Sequence, residues 1–146
     1  MNQNHVPFTQ ANREPTQLVS NIKKAINGEF SAIHCYEKLS KMTHSEKERK
    51  QILEIRKDEI KHFQQFSQVY TQLTGREPNP KISEECPDTL RKGLKFAFKD
   101  EQETVDFYLD ISDQVHDPYI QEIFRRAATD EQNHAVWFLF YYLKNK

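Results

Sequence analysis

The same constellation of ionisable residues occurs twice in this chain, 72 positions apart: Glu29, Asp58, Glu59 and His62 recur as Glu101, Asp130, Glu131 and His134. In each half a Glu precedes, by 30 residues, the Glu of an Asp-Glu-x-x-His motif, so the motif reads Asp58-Glu59-Ile60-Lys61-His62 and then Asp130-Glu131-Gln132-Asn133-His134. The register extends to Ala25/Ala97, Tyr36/Tyr108, Ser40/Ser112, His44/His116, Phe66/Phe138 and Tyr70/Tyr142. On a helix, Glu and His three apart share a face, so each motif offers a carboxylate and an imidazole to one point. Two such motifs plus one extra Glu per half form the ligand set of a carboxylate-bridged two-metal site in a four-helix bundle.

The surrounding pattern is helical. From Thr16 the apolar positions Leu18, Ile22, Ala25, Ile26, Ala32, Ile33, Tyr36 and Leu39 fall at helix spacing, which predicts a first helix ending near Met42. Thr43-x-x-Glu46 and Ser45-x-x-Glu48 are overlapping capping boxes for a second helix, which carries Ile52, Ile55, Ile60, Phe63, Phe66, Val69, Tyr70 and Leu73 and stops at Gly75. Residues 75 to 86 hold two prolines and read as the long connection of the fold. Extended, they span about 40 Å, the length of a helix of roughly 27 residues. The connection therefore just runs the length of the bundle and makes the second and third helices parallel. The alternative is an up-down-up-down bundle with those two helices antiparallel. A third helix is expected from about Pro87 to Val115, and Asp117-Pro118 is a strong start for a fourth. Residues 1–15, polar and carrying Pro7 and Pro15, read as an N-terminal tail, leaving 16–146 as one bundle domain.

The spacing places the constellation in one layer. Glu29 and Glu59 each lie 15 residues from His44 at the first hairpin turn, and Glu101 and Glu131 each lie 15 from His116 at the second. At 1.5 Å per residue all four carboxylates sit about 22 Å from their turns. The apolar stripe passes directly through these positions, so the layer is core. Four carboxylates and two imidazoles there would be strongly destabilising unless paired or coordinating metal, and four carboxylates balance two divalent cations.

Bulk properties agree. A chain of 146 residues is one domain's worth. With 29% charged residues, three Gly and six Pro, it suits amphipathic helices better than strands and turns. Twenty-one basic and 22 acidic residues leave a net charge of -1 with no large block of one sign, which argues against a nucleic-acid or anionic membrane partner. There is no long apolar run and no signal pattern, so a cytoplasmic location is expected. Cys35 and Cys86 form no C-x-x-C and are expected to be reduced structural thiols.

The pattern resembles the ferritin-like superfamily, and within it the di-iron domain of rubrerythrins, over about residues 18 to 144. Supporting features are Gly28-Glu29 with Ala32 and Tyr36, the run Ala97-x-x-x-Glu101-x-x-Thr104-x-x-Phe107-Tyr108, and Ile123-Phe124 leading into Asp130-Glu131-x-x-His134. The resemblance implies an all-α four-helix bundle of two antiparallel hairpins joined by a long crossover. It implies Glu29 and Glu101 as terminal carboxylate ligands, one per metal, Glu59 and Glu131 as bridging ligands, and His62 and His134 as one nitrogen each. Asp58 and Asp130 resemble the acids that hold the imidazole of the opposite motif, and Tyr36 and Tyr108 are candidates for hydrogen bonds to ligands. Two departures stand out. Rubrerythrins usually carry a further Glu three residues after the third-helix ligand, where this chain has Thr104, and the sequence ends at Lys146 without a Cys-rich rubredoxin module.

The expected cofactor is a pair of iron ions, with manganese or zinc as substitutes, since oxygen-rich, two-nitrogen ligation suits Fe(II) and Mn(II) alike. Three function classes follow: an oxidoreductase that oxidises Fe(II) with, or reduces, peroxide or O2; an iron-handling or storage protein; and a structural bundle in which metal serves stability. A di-manganese catalase-like activity is a further alternative. The oxidoreductase reading calls for a separate electron-donor protein. Aromatic residues such as Phe63, Phe96, Phe98 and Phe140 exceed one narrow stripe and suggest a homodimer. His34, His44 and His116, off the layer, are expected in solvent, with Glu37 and Glu103 as surface charges.

Overall fold

Four helices follow from these signals in the computed structural model: α1 (His5–Met42), α2 (Glu46–Thr74), α3 (Leu90–Gln114) and α4 (Pro118–Lys144). The structure describes residues 5–146, with side chains from Thr16 onward. The N-terminal tail expected over 1–15 falls on residues outside the described chain (1–4) or outside its described side chains (5–15).

The helix ends obey local chemistry. Of the two overlapping capping boxes, the one at Ser45 is used: its hydroxyl accepts from the Glu48 amide at 3.2 Å, and the residue is extended at φ -94°, ψ 119°. The Glu48 carboxylate does not complete the box. It is buried and accepts instead from Asn145 Nδ2 at 3.1 and 3.2 Å, tying the start of α2 to the end of α4. Arg49 donates to the Ser40 and Thr43 carbonyls at 2.9 and 2.6 Å, satisfying acceptors that the end of α1 would otherwise leave open. Gly75 ends α2 in the left-handed region, φ 74°, where a side chain would be strained. Asp117 caps α4 through the amides of Tyr119 and Ile120.

The third helix begins at Leu90 rather than near Pro87. Thr89 stays extended (φ -121°, ψ 152°) and its hydroxyl accepts from the Lys92 amide, so the helix cannot start before it. The connection is correspondingly longer, residues 75–89, and more easily spans the bundle.

The register of cross-helix bonds establishes the topology. The crossover runs beside α1 in the same direction. The Lys81 amide meets Asn27 Oδ1 (2.9 Å), the Ser83 amide meets Ser31 Oγ (2.8 Å), and Asp88 pairs with Lys38 (2.9 Å). Tyr36 bonds Glu101 and Tyr108 bonds Glu29, so α1 and α3 are antiparallel. As α1 and α2 form an antiparallel hairpin, α2 and α3 are parallel. The up-down-up-down alternative is excluded, and the bundle is ferritin-like.

The thiol expectation is overturned. Cys35 and Cys86 are joined as a disulfide, Cα atoms 5.2 Å apart across 51 residues of sequence. The cause is the path of the crossover, which returns along α1 and brings Cys86 beside Cys35.

Two apolar clusters fill the bundle. One gathers Ile22, Ile26, Phe66, Tyr108, Ile111 and Phe124 toward one end, and the other Tyr36, Leu39, Ile52, Ile55, Leu94 and Phe138 toward the other. The layer of acidic residues and histidines lies between them. Of the aromatics expected on a dimer face, Phe63, Phe96 and Phe98 pack partly buried against these clusters and only Phe140 is exposed. Phe140 joins Val136, Leu139 and Leu143 in an exposed apolar seam on α4. His34, His44 and His116 are exposed, as expected. No helix among the described residues is long and apolar enough to cross a membrane.

Candidate metal centre

Each helix contributes one part of the central layer. Glu29 comes from α1, Glu59 and His62 from one turn of α2, Glu101 from α3, and Glu131 and His134 from one turn of α4. All six are 3% exposed or less. They form two overlapping groups, Glu29–Glu59–His62–Glu131 and Glu59–Glu101–Glu131–His134, each with one atom per residue within 4.8 Å of the others. Glu59 and Glu131 belong to both groups. The layer is therefore two adjacent three-carboxylate, one-imidazole clusters sharing two carboxylates.

Its outer bonds cross between the sequence halves. His62 Nε2 lies 2.8 Å from Asp130 Oδ2, and His134 Nε2 lies 2.8 Å from Asp58 Oδ2. The Tyr36 hydroxyl donates to Glu101 Oε2 at 2.7 Å, and the Tyr108 hydroxyl to Glu29 Oε2 at 2.5 Å. Each contact that one repeat makes to the other is thus matched by the equivalent contact in return, His62–Asp130 by His134–Asp58 and Tyr36–Glu101 by Tyr108–Glu29. The Asp contacts turn both Nδ1 atoms toward the carboxylates and fix the rings.

The inner atoms lack partners. Among the described residues, seven buried side-chain polar atoms make no hydrogen bond, and six are one atom from each of these residues: Glu29 Oε1, Glu59 Oε1, His62 Nδ1, Glu101 Oε1, Glu131 Oε1 and His134 Nδ1. His62 Nδ1 lies 3.1 Å from Glu59 Oε1 and Glu131 Oε1 and 3.3 Å from Glu29 Oε2, yet none of these contacts has the alignment of a hydrogen bond. Unpartnered buried polar groups are costly. Here they converge on shared points, the arrangement that cations satisfy.

The electrostatics agree. Burial and the neighbouring Glu101 and Glu29 push the Glu59 carboxyl well above its ordinary range, and burial with Glu101, Glu59 and Glu29 does the same for Glu131. At Glu101, the closeness of Glu131 and His134 and the hydrogen bond from Tyr36 outweigh burial and lower the carboxyl. Burial alone would lower His62, but Glu29 and the bond to Asp130 raise it to about 12; at His134 the bond to Asp58 and the neighbouring Glu101 overcome burial and raise it to about 11. Burial, then Glu101 or Glu29, keeps the Tyr36 and Tyr108 hydroxyls protonated and donating. Protons thus stand in for cations in this layer, and metal must displace them. With both imidazoles raised this far in the absence of metal, each must give up a proton to ligate, so loading should release about two protons per chain or more. The apparent affinity should rise with pH throughout the range below those raised values. Zinc addition to metal-free protein in weakly buffered indicator solution measures the release; no proton release would contradict this charge balance.

Two neighbours were not read from the sequence. Asp100, beside Glu101, faces Glu84 of the crossover, and burial with that second carboxyl raises it to about 8. Nothing in the spacing marks this pair, because it depends on the crossover's path. Thr104, where rubrerythrins usually have a further Glu, bonds its own helix at the Asp100 carbonyl (2.8 Å). It lines, with Asn27, Ser83, Phe107 and Tyr108, a cavity of about 480 Å³.

Comparison places the chain among known proteins. It is 52% identical over 144 residues to YhjR, an uncharacterized Bacillus subtilis protein, covering 99% of both chains. The rubrerythrin family model matches residues 92–144, the α3–α4 half with its Glu101 and Asp130-Glu131-x-x-His134. The chain belongs to one family with YhjR, and its α3–α4 half matches the rubrerythrin model. Its fold is shared by a hypothetical protein from Pyrococcus furiosus (TM-score 0.75, 21% identity, 86% of this chain and 87% of that one). It is shared equally by the Desulfovibrio desulfuricans bacterioferritin, a protein with a diiron site (TM-score 0.73, 21% identity, 86% and 78%). The duplicated register shows that the α1–α2 half, outside the family match, repeats the same constellation.

Proposed function

We propose that this chain is a di-iron carboxylate oxidoreductase that couples Fe(II) oxidation to the reduction of H2O2 or O2. One observation carries the reading: among the described residues, six of the seven buried polar atoms without partners belong to the six residues chosen by sequence spacing, one on each. Glu29 and His62 would hold one ion, Glu101 and His134 the other, with Glu59 and Glu131 between them. Two iron ions bound there would supply a redox pair able to pass two electrons to a dioxygen species.

The chain's own residues account for the rest. Asp130 and Asp58 hold the imidazoles so that Nδ1 points inward, and Tyr36 and Tyr108 hold one oxygen each of Glu101 and Glu29, limiting their swing. Glu59 and Glu131, bonded to no tyrosine, are the carboxylates free to adjust as charge changes. Phe66, Phe124 and Phe138, all fully buried, flank the layer and keep bulk water from it. The cavity beside Tyr108 and Thr104 brings a small oxidant within one side chain of Glu29. A separate reductant and a second copy of the chain are the partners this reading calls for.

Anaerobic loading with Fe(II), followed by separate additions of O2 and H2O2 under stopped-flow absorbance, tests the proposal. Rapid oxidation by at least one oxidant is expected. Oxidation by neither would leave only a structural role for the layer, and turnover with manganese but not iron would favour the catalase-like alternative.

A further inference from the structure

Reduction of one peroxide consumes two electrons and two protons, and closure of a dithiol to a disulfide releases the same. The chain's two cysteines meet in the apolar cluster that also holds Tyr36, whose hydroxyl bonds Glu101. Cys35 is 4% exposed, inside the apolar cluster that includes Tyr36, Ala97 and Phe138. It directly precedes Tyr36, whose hydroxyl bonds Glu101 at 2.7 Å. It follows Glu29 by six residues, about 9 Å along the helix axis. Cys86, on the crossover, is only partly buried. One sulfur is thus buried in the apolar cluster and its partner lies nearer the solvent. The pair stands outside the internal duplication, since the repeat equivalent of Cys35 is Phe107.

We propose that Cys35 and Cys86 are the chain's own two-electron store, cycling between a dithiol and the disulfide present in this structure. The inference rests on the di-iron oxidoreductase reading above. In the discharge step two S–H bonds break and one S–S bond forms. The sulfurs are oxidised, and their two electrons would replace the two that a bound iron pair supplies to peroxide. The peroxide O–O bond breaks, and the two thiol protons complete two waters. The balance is one dithiol plus one H2O2 to one disulfide plus two H2O. The connection is short: the Cys35 backbone leads to Tyr36, its ring, and its hydroxyl on Glu101. A small-molecule thiol recharges the store. It attacks the more exposed Cys86 sulfur, Cys35 leaves as the thiolate, and a second thiol releases Cys86 and forms the donor's own disulfide. Disulfides in thiol-reducing compartments are commonly of this transient, catalytic kind.

The test uses the full chain, reduced and freed of reductant under anaerobic conditions, with and without two equivalents of Fe(II). One equivalent of H2O2 is added, free thiols are counted by alkylation and mass spectrometry, and absorbance follows the iron. In the loaded protein both thiols should disappear and the ferric absorbance should rise and then decay. Without iron, thiol loss should be at least tenfold slower. Cys86→Ser should show ferric absorbance that persists and a Cys35 thiol that survives. Thiol loss equally fast without iron would overturn the proposal. So would lasting ferric absorbance in the unmutated chain with both thiols intact, which would leave the di-iron reading standing. Failure of the iron to bind or oxidise would sink both. Should Cys86→Ser not fold, the comparison with and without iron decides alone.

Discussion

Glu59→Gln is expected to reduce metal content from two equivalents per chain to less than one while making the metal-free protein more stable. Glu59 belongs to both clusters, so neutralising it weakens both positions at once. In the metal-free chain the same carboxylate is 1% exposed and is pushed upward by burial and by Glu101 and Glu29. Burial and two neighbouring carboxylates disfavour the charged form of this side chain in the metal-free chain, and an amide of the same volume removes that cost. Metal analysis after reconstitution and thermal unfolding of the metal-free proteins measure the two effects. Opposite signs are the signature of a residue kept for binding at a cost in stability. A variant that retained two metals would show that Glu59 does not bridge, and a fall in metal-free stability would show that it serves packing.

Phe124→Ala should have the largest effect on the fold, about 3–5 kcal/mol. Phe124 is fully buried, stacks on Phe66 with centroids 4.3 Å apart and an interplanar angle of 9°, and meets Tyr108 edge-on at 5.6 Å. Its removal opens a cavity in the cluster that supports the Tyr108–Glu29 hydrogen bond. For a chain of this size the loss corresponds to a fall in melting temperature of roughly 10 °C. Calorimetry of the metal-free protein checks it; a change under about 1 kcal/mol would mean that the cluster collapses around the gap.

The layer was legible because a helix is a rigid ruler. Once Glu29, Glu59, Glu101 and Glu131 are equidistant from their turns, regular hairpins leave them no other height, and the i, i+3 spacing of Glu59–His62 and Glu131–His134 supplies the facing. The roles of Asp58 and Asp130 came from the resemblance to rubrerythrins, because spacing alone does not place either beside the opposite histidine. Tyr36 and Tyr108 share the face of Glu29 and Glu101, but that spacing alone does not say that each reaches across to the other half.

What was not legible depends on irregular backbone. The Cys35–Cys86 disulfide and the Glu84–Asp100 pair arise from the path of residues 75–89 along α1, and a chain without helical periodicity leaves no ruler in its sequence. The start of α3 was placed too early because Pro87 is a good first-turn residue, while the Thr89 hydroxyl, two residues on, captures the Lys92 amide and wins. The Ser45-x-x-Glu48 spacing permits a reciprocal capping box. Only its serine half forms, because Asn145, distant in sequence, claims the glutamate.

The central claim is that the six unpartnered side chains of this layer hold two metal ions. Reconstitution of the metal-free chain with excess Fe(II) under anaerobic conditions, removal of loose iron by gel filtration, and elemental analysis test it most directly. Two iron atoms per chain are predicted; less than one would contradict the account.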